Sequence, residues 1–237
     1  MMDGHSIVYQ LIKELEGKSI TEKLRQLALS FPEKVVFTTS FGYEDQVITD
    51  MIFTEDIPLE VVTLDTGRMF EETYKAFRST VEKYGKNIRV FFPPADKVEK
   101  LMTEKGPFSF YESVENRKEC CFIRKVIPLK RALEGKSVWI TGLRADQSAN
   151  RSTLHEFEWD EANGIVKFNP LIDWNIDQVK QYVKEKHVPY NVLHDRGFIS
   201  IGCEPCTRAV RPGEDFRAGR WWWEQNSGKE CGLHETK

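Results

Sequence analysis

Four short apolar runs, each followed by a helix-period segment, constrain this chain more than any other feature. Residues 34–39 (KVVFTT), 60–64 (EVVTL), 88–92 (IRVFF) and 137–141 (SVWIT) read as buried strands. Helical periodicity occupies about 44–54, 69–84, 96–105 and 117–133. Upstream, Ile7, Leu11 and Leu15 mark a helix over 6–16 stopped by Gly17, and a second short helix covers 21–30. Strands alternating with helices on right-handed crossovers give a parallel sheet covered on both faces. The expected class is α/β, with a doubly wound, mainly parallel sheet.

The later third is less regular. Residues 154–159 and 165–168 read as a hairpin around Glu161-Ala162-Asn163-Gly164, and a helix follows over 175–186. From Pro189 onward the chain is rich in turns and aromatics. With 237 residues and 40% apolar content, there is enough chain for one large domain or two small ones. No apolar run approaches the roughly 18–20 residues that cross a bilayer, and the first residues lack a signal-peptide layout. A formal charge of −3 excludes a globally cationic nucleic-acid binder. The expectation is a soluble cytoplasmic protein with no membrane or nucleic-acid partner.

Three loops leave the ends of strands. Ser40-Phe41-Gly42-Tyr43-Glu44-Asp45 combines small residues with the start of a helix, a combination that accepts phosphate or sulfate. Leu64-Asp65-Thr66-Gly67-Arg68 and residues 141–148 (TGLRADQS) are the other two. Each alone is equally a structural turn; three on one sheet edge point to a ligand. Charge adds to this. Between 117 and 151 nine basic residues face only Glu119, Glu134 and Asp146, a +6 stretch inside a −3 chain. Such a run is either a solvated helix face or a pocket for a polyanion.

The five cysteines divide into four plus one: Cys120-Cys121, Cys203-Glu204-Pro205-Cys206, and Cys231. An odd count without a secretion signal argues against a disulfide framework. Four thiolates suit zinc or an iron–sulfur cluster. Adjacent cysteines on a helix diverge by about 100°, which leans toward the corners of a cluster rather than one ion and leaves zinc open. Cys231 sits in Lys229-Glu230-Cys231-Gly232-Leu233-His234, where His234 can stabilise a thiolate and Arg217 and Arg220 lie upstream.

Together the motifs SFGYEDQV (40–47), LDTGR (64–68), KECCFIRK (118–125), TGLRADQS (141–148), GCEPCTRAV (202–210) and KECGLH (229–234) resemble the iron–sulfur type of assimilatory adenylyl-sulfate reductase, within the phosphoadenylyl-sulfate reductase family. The likeness runs from about residue 35 to the end. It implies a Rossmann-like sheet of the adenine nucleotide alpha hydrolase-like type. The implied division is an N-terminal helical segment 1–30, a nucleotide-binding domain 31–210 carrying the cluster, and a mobile catalytic tail 211–237. The resemblance further implies a [4Fe-4S] cluster on Cys120, Cys121, Cys203 and Cys206, and Cys231 as the nucleophile toward adenylyl sulfate. Lys125, Arg144, Arg217, Arg220 and His234 match basic positions that hold the phosphosulfate. Ser40, Gly42 and Glu44 match the turn beside it, and Leu64 and Gly67 the loop around the nucleoside. The implied activity is thioredoxin-dependent release of sulfite and AMP in sulfate assimilation and cysteine biosynthesis. Its electrons would come from a thioredoxin- or glutaredoxin-like protein, and the enzyme would be a homo-oligomer. The tail has no second cysteine to resolve an intermediate, so the reductant must be external. The competing readings are reduction of the 3′-phosphorylated nucleotide, and a nucleotide-binding cluster or zinc sensor without turnover.

Overall fold

The computed structural model describes residues 3–147 and 154–224. In chain order the helices are α1 (Gly4–Leu15), α2 (Ile20–Ser30), α3 (Tyr43–Thr54), α4 (Glu71–Tyr84), α5 (Ala95–Lys105), α6 (Val114–Cys121), α7 (Ile127–Leu133) and α8 (Ile176–Glu185). The strands are β1 (Val35–Thr39), β2 (Glu60–Leu64), β3 (Arg89–Phe91), β4 (Val138–Ile140), β5 (Phe157–Asp160) and β6 (Ile165–Phe168). They form a six-stranded sheet in the order β3-β2-β1-β4-β6-β5. β1 runs parallel to β2 and β4, and β4 parallel to β6; only β5 against β6 is antiparallel among these pairings. The expected α/β, Rossmann-like, mainly parallel sheet is therefore what the chain builds. No helix among the described residues is long and apolar enough to cross a membrane.

By internal contact the chain divides into two compact units. Among the described residues, one falls within 1–63, 75–89 and 133–191, and the other within 64–74, 90–132 and 192–237. In the first, Val36, Phe37, Val138 and Ile140 are fully buried, so β1 and β4 read as continuous apolar runs rather than alternating ones. α3 is buried along Gln46–Phe53, which requires its one mid-helix carboxylate to be satisfied internally. Asp50 accepts hydrogen bonds from Tyr84 Oη at 2.6 Å and Tyr182 Oη at 2.8 Å, and Lys83 Nζ lies 3.5 Å away. That network ties α3 to α4 and α8.

Two features depart from the sequence reading. The helical run expected over 117–133 begins earlier, at Val114, where Ser113 Oγ accepts from the Asn116 amide at 3.1 Å. It is also interrupted by a π-helical turn over Phe122–Val126. Pro128 explains the interruption: it has no amide for the carbonyl four residues back, and its ring would crowd that carbonyl, so the helix widens upstream. The hairpin at β5 and β6 forms around Asp160–Gly164, but β6 also extends the main sheet by pairing parallel with β4.

Candidate functional site

Strand order reverses between β1 and β4 in the first unit, and in open α/β sheets ligands bind outside the strand ends at such a point. Two of the anticipated loops meet there. Glu44, at the start of α3, takes Arg144 Nε at 2.8 Å and Gln147 Nε2 at 3.0 Å. Arg144 is 1% exposed and also reaches Asp146 at 3.3 Å and the Trp174 carbonyl at 3.2 Å. The pair thus braces the β1 and β4 loops against each other. Ser40 stays exposed, and Gly42 is the N-cap of α3 without a capping side chain. Phe41 adopts a φ of 62°, a left-handed conformation held by stacking on Phe77 at 5.0 Å between centroids.

Asp45 closes this turn by accepting the Ser40 amide and hydroxyl, each at 2.6 Å, and a Cβ on Gly142 would collide with its other oxygen. Burial pushes the Asp45 carboxyl up to about 6, with Ser40 opposing and Glu44 adding to the rise. A raised carboxyl binds a proton in the folded state before the unfolded chain does, so its contribution to stability grows as pH falls through about 6 and fades as pH rises through it. Denaturation midpoints of wild type and Asp45→Asn measured from pH 7 to pH 4 should therefore shift in favour of wild type toward the acid end. A shift in the other direction would show that Asp45 is held as an anion.

The second unit contains the cysteines. Cys120, Cys121, Cys203 and Cys206 line one open cavity together with Arg68, Phe110, Arg117, Arg124 and Lys125. Its floor is apolar: Leu101, Phe110, Ile123 and Trp221 pack around Cys120 and Cys206. The helix carrying the first pair fixes the cations by spacing. Arg117 precedes Cys121 by four residues, Arg124 follows Cys120 by four and Lys125 follows Cys121 by four, and all of them line the same cavity. Gly67, at φ 71°, lets the β2 loop pass Arg124, whose Nη1 donates to the Thr66 carbonyl at 2.6 Å. Glu204 N donates to the Arg68 carbonyl at 2.8 Å, which fixes the Cys203–Cys206 turn on the same loop. Leu64 ends β2 at the head of that loop.

The four thiols differ electrostatically. Burial pushes Cys203 up, but Lys125, the hydrogen bond to Thr66 at 3.3 Å, Arg220 and Arg124 outweigh it and hold the thiol below its ordinary range. Burial, then the neighbouring Cys203 and Cys121 sulfurs, push Cys206 up to about 12. Burial likewise raises Cys120, against Arg124. Arg220, 6% exposed, lies over Trp221 at 4.7 Å and packs on Gly202; among the described residues its Nε has no hydrogen-bond partner. Arg217 lies 5.8 Å over the same indole. Among the described residues no three His, Cys, Asp or Glu side chains converge closely enough to hold a metal ion. The donor set is instead four soft sulfurs facing a cavity rimmed by cations, a chemistry that suits an anionic thiolate-bound cluster.

The sequence names Lys125, Arg217 and Arg220 as individual site residues, whereas Thr66 and Arg68 enter it only within the 64–68 loop and Arg117 and Arg124 only within the basic run 117–151. The four-residue spacing from the cysteine pair was the signal for Arg117 and Arg124. Cys231 and His234 lie outside the described residues.

The model of the phosphoadenosine phosphosulfate reductase domain matches residues 34–209. The chain is 53% identical over 201 residues to the adenosine 5′-phosphosulfate reductase of Agrobacterium fabrum, covering 85% of this chain and 77% of that protein. It is 52% identical over 229 residues to the protein of that name from Burkholderia cepacia, covering 95% and 91%. The crystal structure of phosphoadenylyl-sulfate reductase from Candida auris, a phosphate complex, superposes with a TM-score of 0.74 at 32% identity, covering 89% of this chain and 99% of that one.

Proposed function

The chain belongs to the phosphoadenosine phosphosulfate reductase domain family, and on that premise we propose that it reduces adenylyl sulfate to sulfite and AMP through an S-sulfocysteine on Cys231. It is an oxidoreductase acting on a sulfur-containing nucleotide. The observation that carries the finer reading is the cavity lined by four cysteines together with Arg68, Arg117, Arg124 and Lys125. Cys120, Cys121, Cys203 and Cys206 would hold a [4Fe-4S] cluster, which when bound supplies structural order and a local electrostatic field.

The rest of the reaction belongs to this chain's own residues. Ser40, Gly42, Glu44 and Arg144 serve the nucleotide at the sheet's switch point. Leu64 and Gly67 serve the nucleoside from the β2 loop. Lys125, Arg217 and Arg220, with His234, offset the negative charge of the phosphosulfate. The Cys231 thiolate attacks the sulfate sulfur; an S–S bond forms as the S–O bond to phosphate breaks, and AMP leaves with that electron pair. An external dithiol of thioredoxin or glutaredoxin type then attacks Cys231 Sγ, sulfite leaves, and its second thiol resolves the mixed disulfide. Two electrons pass from the dithiol to sulfur. A thiolate approaching an anion needs this cationic surround, since each well-placed group contributes about 3–4 kcal/mol at a transition state.

Mass spectrometry after mixing the anaerobically purified protein with adenylyl sulfate and no reductant tests the reading directly. The expected result is a sulfo adduct confined to Cys231, formed faster than with the 3′-phosphorylated nucleotide. Faster reaction of the phosphorylated nucleotide would reverse the substrate assignment, and a colourless protein with stoichiometric zinc would end the cluster assignment.

A further inference from the structure

We propose that Arg117 and Glu224 form a clamp that positions the root of the segment carrying Cys231. The inference rests on the reading of Cys231 as nucleophile and adds the residues that set where its tether starts. Arg117 Nε donates to Glu224 Oε1 at 2.7 Å, and its Nη2 donates to Oε2 at 3.0 Å, a two-point contact. Both side chains are buried, at 3% and 7% exposure. Arg117 stands on α6 four residues before Cys121, lines the cysteine cavity, and lies over the Trp221 ring at 4.6 Å.

The chain between is pinned at each step. Trp221, 1% exposed and at a φ of 42°, donates its amide to the Cys206 carbonyl at 3.2 Å. Glu224 N donates to the Trp221 carbonyl at 2.9 Å, and a β-bridge joins Arg220 to Thr207. The segment is thereby fastened both to the turn that carries Cys203 and Cys206 and to the helix that carries Cys120 and Cys121. Cys231 follows Glu224 by seven residues, a span of at most roughly 25 Å when extended. Fixing the chain at Glu224, seven residues before Cys231, bounds how far the thiol can lie from that point, and such a bound raises its effective concentration at a bound substrate.

Stability alone is a poor reason for this pair. A buried ion pair is often no better than apolar residues of the same volume, and its best-attested use is to specify a single arrangement. The left-handed Trp221 costs free energy that an unconstrained tail root would not incur.

The test uses the cluster-loaded full chain and the variants Glu224→Gln and Glu224→Asp, each mixed with saturating adenylyl sulfate in single turnover. Glu224→Gln should form the Cys231 adduct about 10–100-fold more slowly, with AMP affinity and visible absorbance unchanged. Glu224→Asp, which keeps the charge but cannot span both contacts equally, should fall between Gln and wild type. A wild-type rate in Glu224→Gln overturns the clamp. So does a rate lost only in proportion to absorbance or AMP binding, since that marks a purely structural role. If Glu224→Gln does not fold, a wild-type rate in Glu224→Asp overturns it instead. If wild type itself forms no adduct, the nucleophile assignment fails, and the clamp is judged by tryptic cleavage after Lys229. That cleavage should accelerate in the variants; an unchanged rate refutes the clamp.

Discussion

Cys231→Ala should release no measurable sulfite, a loss of at least about 10³-fold, while AMP binding and visible absorbance stay at wild-type levels. The other four cysteines cannot substitute, because they line a single cavity and are the proposed ligands of one cofactor. Serine at 231 should be equally inactive for a separate reason. A hydroxyl is a harder, far less acidic nucleophile than a thiol. Even if it accepted the sulfate group, the product would be a sulfate ester with no S–S bond for a dithiol to cleave. Electrons could then not reach sulfur. Sulfite release with excess reduced dithiol protein, measured beside AMP binding, separates the possibilities. Activity within tenfold of wild type would remove Cys231 from the mechanism and favour a nucleotide-binding sensor that keeps its four cavity cysteines.

How far the sequence carries can be seen residue by residue. Strand 60–64 is read to the residue, and β1 to within one, because their apolar runs are short, buried on both faces and closed by turn residues. β5 and β6 are legible as a hairpin, but the parallel pairing of β6 with β4 is not. A four-residue apolar strand looks the same whether one or both of its edges are paired. The π-helical turn was missed: 117–133 reads as one helical run although Pro128 lies within it. The four cavity cysteines were legible as a set because residue type and spacing state their chemistry. Arg144 was legible as a basic residue in a strand-end loop, but not as the partner of Glu44, 100 positions away. Glu224 was invisible for the same reason. Its partner Arg117 is 107 residues distant, and no local pattern reports an ion pair closed by tertiary folding.

Lys125→Gln should slow adduct formation on Cys231 by about 10²–10³-fold, the usual cost of removing one charged group from a developing anionic centre. Lys125 projects from the π-helical turn into the cysteine cavity, and its charge is the largest influence pulling the Cys203 thiol down against burial. It is therefore close enough to the Cys203 sulfur to matter electrostatically, in surroundings where apolar side chains limit screening. The charge on the transferring sulfate rearranges as the S–O bond breaks, so a cation here should favour the transition state over the bound nucleotide. The rate should fall by more than the affinity for adenylyl sulfate. Equal losses in both would reduce Lys125 to a uniform binding contact. Lys125→Arg should recover only part of the rate, because a planar guanidinium cannot reproduce a compact, rotatable ammonium. Visible absorbance supplies the control. If colour is lost along with rate in Lys125→Gln, the residue acts by retaining the cofactor, and the direct role toward the sulfate group falls.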